Sequence, residues 1–376
     1  MKEAQVATPE KNLPPLVFVY LGPHFPKYAI ASLAIAQETT PNPLIVLADV
    51  ARPRGAKSSV RWEIIGEFYD STEFETFKAE SSLDPEFRDG FWLHAAERFF
   101  VLEQFMARHS LERLFHGELD CLFFSLDTVG REIEAAGLEG LFITREKIDC
   151  AVASLVYVNT RASLRSACLF LLENVSLGNE MDILGSLPLG KKTPFYAFPS
   201  AEYLFRESGR AGSWPVAPEN PRFIVDGAVL GRWLFGVDPR NTPNGGTRNL
   251  VQNPKNTLPF EPQVSDLRFK ASSTKKWQIS VSGSSGVWFP LRVVHVHSKI
   301  HSKLTPRYAR LIIRKASKGQ HHTILRVPPR YYLRVVGRII RHLLRLARTP
   351  SEARELAENL FSPSWRKGLK GRVTGK

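Results

Sequence analysis

Two pairs of side chains in this sequence have the chemistry of a cation site. The first lies in FHGELDCLFF, residues 115–124, where Glu118 and Asp120 stand two apart beside an apolar run. In an extended chain, residues i and i+2 point to the same side, so both carboxylates can face one ion. Hard oxygen donors suit Mn2+ or Mg2+, which need only one or two protein carboxylates when phosphates complete the shell. Such an ion neutralises charge growing on a leaving diphosphate. The second pair lies in VVHVHSK, residues 293–299, where His295 and His297 share one face of a predicted strand. Imidazole ligates Mn2+ and related ions. Lys299, just beyond, offers a cation to phosphate. Each pair also has a plainer reading, as solvated turn carboxylates and as two hydrogen-bonded histidines.

Further carboxylates could act as a base. A hydroxyl nucleophile needs one to take up its proton. Asp182 in LGNEMDILGSLP (177–188) and Asp226 in FIVDGAVLGRWLFGVDPRN (223–241) are the candidates. Each reads equally well as a capping or turn residue. Glu180 lies beside Asp182 in the same segment. Gly227, Gly231 and Gly236 permit close backbone approach, but their spacing is not a dinucleotide fingerprint. The sequence holds no Walker-type phosphate loop, zinc-hydrolase motif or Ser–His–Asp signature.

These residues need elements to position them. LVFVYL (16–21) and LIVLA (44–48) are apolar runs of strand character, with a helix predicted near 27–37 between them. Strand–helix–strand alternation of this kind predicts a parallel sheet. Asp49 closes the second run. Trp92, Ala95, Phe99, Leu102 and Met106 recur at three- and four-residue spacing, which predicts a helix over 91–109. His94, Glu97 and Arg98 fall off that apolar stripe, where Arg98 is either solvated or within reach of a phosphate. Leu114 and Phe115 lead into a turn, and CLFF (121–124) is the strand beyond it. Further strands are expected at 141–144, 151–158 and 293–297, with a helix near 161–175. Residues 207–222 and 239–263 read as loops.

With 43% hydrophobic residues, the chain is globular rather than disordered. Three scattered cysteines make no disulfide framework, which fits a reducing compartment. No apolar stretch has the length of a signal peptide core or a membrane span. A cytoplasmic protein is therefore expected. The net charge of +14 is uneven: residues 301–376 hold 19 Lys and Arg against 3 acidic residues, a balance of +16, which leaves −2 for the first 300. In RYYLRVVGRIIRHLLRLAR (330–348), six arginines from Arg330 to Arg348 are spaced by three or four. They form a helical stripe about 80° wide. This pattern suits an interfacial helix on an anionic membrane, peripheral on its inner face. A helix packed on the body with a solvated arginine face is the alternative. Nucleic acid is not the expected partner, because only Tyr331 and Tyr332 could stack on bases there.

The segments FWLHAAERFFVLEQFM (91–106), FHGELDC (115–121), VDGAVLGRWLFGVDPRN (225–241) and VVHVHSK (293–299) occur in an order that resembles a bacterial family of GT-A-type nucleotide-sugar glycosyltransferases. That family has Glu-Asn-Asp where this chain has Glu118-Leu119-Asp120. It also has an Asp-Gly-Ala stretch leading to Gly-x-Asp-Pro, and a late His-x-His-Ser-Lys. The resemblance, over about residues 16–300, implies an α/β fold of the GT-A kind, a Rossmann-like mixed sheet flanked by helices, here followed by a basic helical tail. It implies a donor-binding half at 14–150, an acceptor-side half at 151–300 and the tail at 301–376. By the same resemblance Asp120 binds the cation directly, Glu118 binds it through water or holds the donor ribose, and His295 or His297 completes the shell. Asp49 and the residues from Leu21 to Phe25 meet the nucleoside. The activity implied is transfer of a sugar from a nucleotide diphosphate donor to a glycan or lipid-linked acceptor, as in cell-surface glycan synthesis. Two other classes compete. One is a catalytically inactive membrane- or RNA-associated α/β protein. The other is a sugar nucleotidyltransferase, which would carry a Gly-rich basic loop after the first strand, unlike GPHFPK at 22–27.

Overall fold

The computed structural model describes residues 13–147, 149–190, 192–200, 204, 216–235, 268–271, 279–283 and 286–296. His297, Lys299, the loop at 239–263 and the helix expected over 330–348 lie outside these residues.

The chain runs β1 (Leu16–Tyr20), α1 (Lys27–Thr39), β2 (Leu44–Ala48), β3 (Arg61–Ile64), α2 (Thr72–Glu80), α3 (Phe91–Arg108), β4 (Leu114–Gly117), β5 (Cys121–Phe123), α4 (Leu126–Ala135), β6 (Leu141–Lys147) and β7 (Cys150–Val158). It continues through α5 (Arg161–Glu173), α6 (Glu180–Gly185), β8 (Phe195–Ala197), β9 (Ile224–Val225), α7 (Val229–Phe235), β10 (Arg268–Ala271), β11 (Ile279–Ser282) and β12 (Trp288–His295). A seven-stranded sheet has the order β3-β2-β1-β4-β7-β6-β8, and a five-stranded path joins β10-β11-β12-β5, with β9 beside β12. Strands β3, β2, β1 and β4 are parallel, while β7 is antiparallel to both β4 and β6.

The near-continuous apolar runs of β1 and β2 follow from burial on both faces of a parallel sheet. Val17, Ile45 and Leu47 face a core built with α2, α3, α5 and α6. Leu16, Phe18 and Val46 face the opposite core, with α1, α4, β5 and β12. The mixed α/β sheet flanked by helices expected from the sequence is present. No described helix is long and apolar enough to cross a membrane.

The residues expected to lead into a turn, Leu114 and Phe115, instead begin β4. All four residues of β4 are buried between β1 and β7. Only two of them are apolar in pattern, too short a run for a period to show. The placement of β4 matters for function. The chain leaves β1 for β2 and β3 on one side, then returns to β4 on the other. That reversal makes the carboxyl ends of β1 and β4 a topological switch point, the place where open α/β sheets bind ligands.

Candidate functional site

The residues Glu118, Leu119 and Asp120 connect β4 to β5, so they carry the chain from one sheet into the other at that switch point. They do not continue an extended strand, as their spacing suggests. The Cys121 N–H donates to the Glu118 carbonyl at 3.1 Å and closes a turn. The two carboxylates converge through that turn. Leu119 is buried in the core shared with α1 and α4, which explains an apolar residue between two acids. Gly117 is required as well, because a Cβ there would lie 2.5 Å from Cε1 of the buried Phe123 ring.

The imidazole arrives from far along the chain. Strand β12 pairs antiparallel with β5, matching Val293 to Phe123, Val294 to Leu122 and His295 to Cys121. The Val296 N–H extends the pairing to the Asp120 carbonyl at 2.8 Å. His295 Nε2 thereby lies 3.4 Å from Glu118 Oε2 and 3.4 Å from Asp120 Oδ2. Its Nδ1 faces the Gly227 carbonyl at 2.6 Å, which turns Nε2 toward the carboxylates. Burial lowers the proton affinity of His295, but Asp120 and then Glu118 outweigh it and raise the pKa to about 9.

Asp226 is wholly buried beneath this histidine. Its carboxylate accepts the N–H groups of Leu230 at 2.9 Å, Gly231 at 2.8 Å and His295 at 3.1 Å. Burial pushes it up to about 6, with those N–H groups opposing the rise. Of the two readings the sequence leaves open, base or capping carboxylate, these contacts are those of the capping residue: Asp226 fixes the start of α7 and the backbone of His295. Asp182, the other base candidate, is exposed in the first turn of α6, and its Oδ2 accepts from Asn179 Nδ2 at 2.7 Å.

Arg98 is not on a solvated helix face. It is buried, because burial of α3 extends beyond the predicted stripe, with Phe100, Val101 and Phe105 buried as well. Its Nη1 donates to Glu118 Oε1 and its Nη2 to Glu180 Oε1, each at 2.8 Å. Burial would push Glu118 up, but Arg98 and His295 hold it below the usual carboxylate range. Burial does push Glu180 up, to about 7, despite Arg98. Asn179 caps α6 by accepting the Met181 N–H at 2.9 Å, and so sets Glu180 in the first turn. His116, on β4, is also buried; its Nδ1 meets the Val17 carbonyl at 3.0 Å. Burial and then Arg98 lower its pKa to about 3, so it stays neutral.

The structure therefore brings together Arg98, Glu118, Asp120 and His295, and adds Glu180, Cys121 and His116. The sequence shows Glu180 only as an acid beside Asp182, and gives no sign that Cys121 faces the same point. Asp49 stands at the end of β2, exposed, with its Oδ2 accepting the Gly22 N–H at 3.2 Å. Leu21, the other nucleoside-side candidate, is half-buried against the core below. Burial raises the Asp49 pKa, and the Gly22 N–H opposes this.

Glu118, Asp120, Cys121 and His295 each offer one donor atom, all within 4.8 Å of one another. The two oxygens at 3.4 Å from Nε2 match the separation of about 3.0–3.4 Å between neighbouring ligands on an ion with bonds near 2.1 Å. Both oxygens thus stand at a ligand-to-ligand distance from Nε2, and the residue types fit a divalent cation.

No protein-family model matches the sequence, and no curated protein sequence matches it. Among solved structures the chain is similar to mouse xyloside xylosyltransferase 1 in its apo form, at 12% identity and a TM-score of 0.38, over 52% of this chain and 90% of that one. It is also similar to an active-site mutant of LgtC, at 14% identity and a TM-score of 0.36, over 54% and 80% of the two chains. A third likeness is to galactosyltransferase LgtC in complex with donor and acceptor sugar analogs, at 14% identity and a TM-score of 0.34, over 50% and 77%. At these identities and scores the likeness assigns no residue a role.

Proposed function

We propose that this chain is a divalent-metal-dependent glycosyltransferase of the GT-A kind, moving a sugar from a nucleotide diphosphate donor to a glycan or lipid-linked acceptor. One observation carries the reading. The Glu118–Asp120 turn lies at the β1/β4 switch point, and β12 brings His295 Nε2 to 3.4 Å from both carboxylates. Asp120 and His295 would hold the ion directly, with Glu118 beside them. Of the two ions expected from the sequence, Mn2+ suits the imidazole donor better than Mg2+. When bound, the ion supplies positive charge to a leaving diphosphate. Arg98 orients Glu118 through one N–H and is itself anchored by Glu180 through the other. Asp49 presents an exposed carboxylate at the neighbouring strand end, suited to accept the ring N–H of a uracil or guanine base. Leu21 supplies apolar surface beside it.

Calorimetry with UDP and GDP tests the reading. Binding is expected in Mn2+ and absent in EDTA, and a matching nucleotide sugar should be cleaved slowly to the free diphosphate. Asp120→Asn should abolish both while the protein keeps its fold by circular dichroism. Asp49→Ala should weaken nucleotide binding without weakening metal binding. Nucleotide affinity indifferent to both EDTA and Asp120→Asn would refute the assignment.

A further inference from the structure

Cys121 sits where no acid-x-acid centre requires a thiol. It is the first residue of β5 and the cross-strand partner of His295. Residues directly opposite on an antiparallel pair project from the same face, with Cβ atoms about 4.5–5.5 Å apart. The thiol therefore emerges beside the imidazole. Its Sγ is within 4.8 Å of the donor atoms of Glu118, Asp120 and His295. The register and the donor separation are independent observations, and both place sulfur at the rim of the same point.

The surroundings bear on what the thiol can do. The side chain is fully buried, so it is shielded from bulk oxidants and alkylating reagents. Around a tetrahedral ion with a metal–sulfur bond near 2.3 Å and a metal–oxygen bond near 2.0 Å, sulfur and oxygen stand about 3.5 Å apart. Closing from 4.8 Å at most to that separation asks for a shift of at most about 1.3 Å, which small side-chain torsions provide. Phe123, two residues on, shares its face of β5 and packs edge-on against Phe18 at 5.6 Å, so the backbone carrying Cys121 is fixed.

We propose that Cys121 is a third direct ligand of this centre beside Asp120 and His295, giving an O,N,S donor set with a position left open to the diphosphate, which takes a thiophilic divalent ion such as Zn2+ or Co2+ in preference to Mg2+. The inference rests on the reading of Glu118, Asp120 and His295 as a metal centre, and specifies which ions it takes. Thiolate sulfur selects Zn2+-like ions, whereas an all-oxygen shell suits Mg2+. Coordination requires the thiolate, so its proton leaves to solvent as the ion arrives.

Cobalt reports the ligand set directly. Full-length protein is stripped with EDTA and titrated with CoCl2 under reducing conditions. The expected spectrum has visible ligand-field bands together with a near-ultraviolet thiolate-to-cobalt charge-transfer band. Cys121→Ser should lose the near-ultraviolet band and keep weaker visible bands, while Cys150→Ser and Cys168→Ser keep both. Affinity for Zn2+ should fall at least about tenfold in Cys121→Ser, with affinity for Mn2+ changing less than about threefold. Should Cys121→Ser fail to fold, zinc K-edge absorption on the wild-type protein decides, expecting one sulfur near 2.3 Å beside lighter ligands near 2.0 Å. Co2+ or Zn2+ bound with no sulfur neighbour would overturn the role of Cys121 and leave the three-residue centre standing. Failure of the wild-type protein to bind either ion would overturn both.

Discussion

Gly117→Ala is the sharpest probe of how the site is built. The added methyl would lie 2.5 Å from Phe123 Cε1, well inside the 3.4–4 Å of ordinary contact. Phe123 would have to withdraw by about 1 Å to restore that contact. It has little room, being fully buried with the Phe18 ring 5.6 Å away. Overpacking of this kind costs about 1–3 kcal/mol. For a domain of this size that lowers Tm by roughly 2–4 °C per kcal/mol. The strain falls on β5 and on the turn that immediately follows residue 117, so metal affinity should drop along with stability. Thermal denaturation in EDTA gives the first quantity, and cobalt or manganese titration the second. The double variant Gly117→Ala/Phe123→Leu makes space for the methyl, so its stability loss should be clearly smaller than the sum of the two single losses. If Gly117→Ala melts at the wild-type temperature, or if the two losses simply add, the steric argument for the glycine is wrong.

Other perturbations test the charges. Arg98→Met strands Glu118 and Glu180 and should cost about 3–5 kcal/mol in urea denaturation; adding Glu180→Gln should restore part of it, and a loss below about 1 kcal/mol would contradict a structural role for the pair. His116 is held near 3 in the folded protein against an ordinary 6.5, so below pH 6.5 the unfolded chain binds a proton that the folded chain refuses. Its contribution therefore lowers stability by about 1.4 kcal/mol per pH unit, or roughly 2 kcal/mol between pH 6.5 and 5. His116→Gln measured in EDTA should lack this slope, and a constant difference from wild type across that window would refute the assignment. Asp226→Asn turns an amide N–H2 toward backbone N–H donors; a loss of about 2–3 kcal/mol and weaker metal binding through His295 are expected, whereas full stability with lost turnover would make Asp226 the base after all.

The elements that the sequence announces are those whose patterns are long. LVFVY and LIVLA read as buried strands because both faces of a parallel sheet are apolar, and α3 repeats over five turns. Strand β4 stays hidden because LFHG is short and ends on glycine. Arg98 is misread by periodicity alone, since burial of α3 extends beyond the apolar stripe to residues beside it, position 98 among them. The acid-x-acid and His-x-His segments are both visible as motifs, yet nothing local specifies that β12 pairs with β5 in the register that matches His295 to Cys121. Register is set by the hydrophobic faces of both strands and their neighbours, and that information is distributed over the whole domain. For the same reason Glu180 looks no more promising than Asp182 until Arg98 is placed between it and Glu118.

The pairing of β12 with β5 also has a consequence in time. The parallel strands β1, β2 and β4 and the turn at Glu118 lie within the first third of the chain, while the imidazole comes from residue 295. Joining them closes a very long loop, and contacts of such separation are slow to form because the chain entropy is lost before the contact rewards it. During refolding the early strands and α3 can reach native-like secondary structure while the ion still lacks the imidazole. Tight cobalt binding should therefore lag behind the recovery of far-ultraviolet dichroism in a stopped-flow refolding experiment, and the ion becomes a clock for the docking of the last strand.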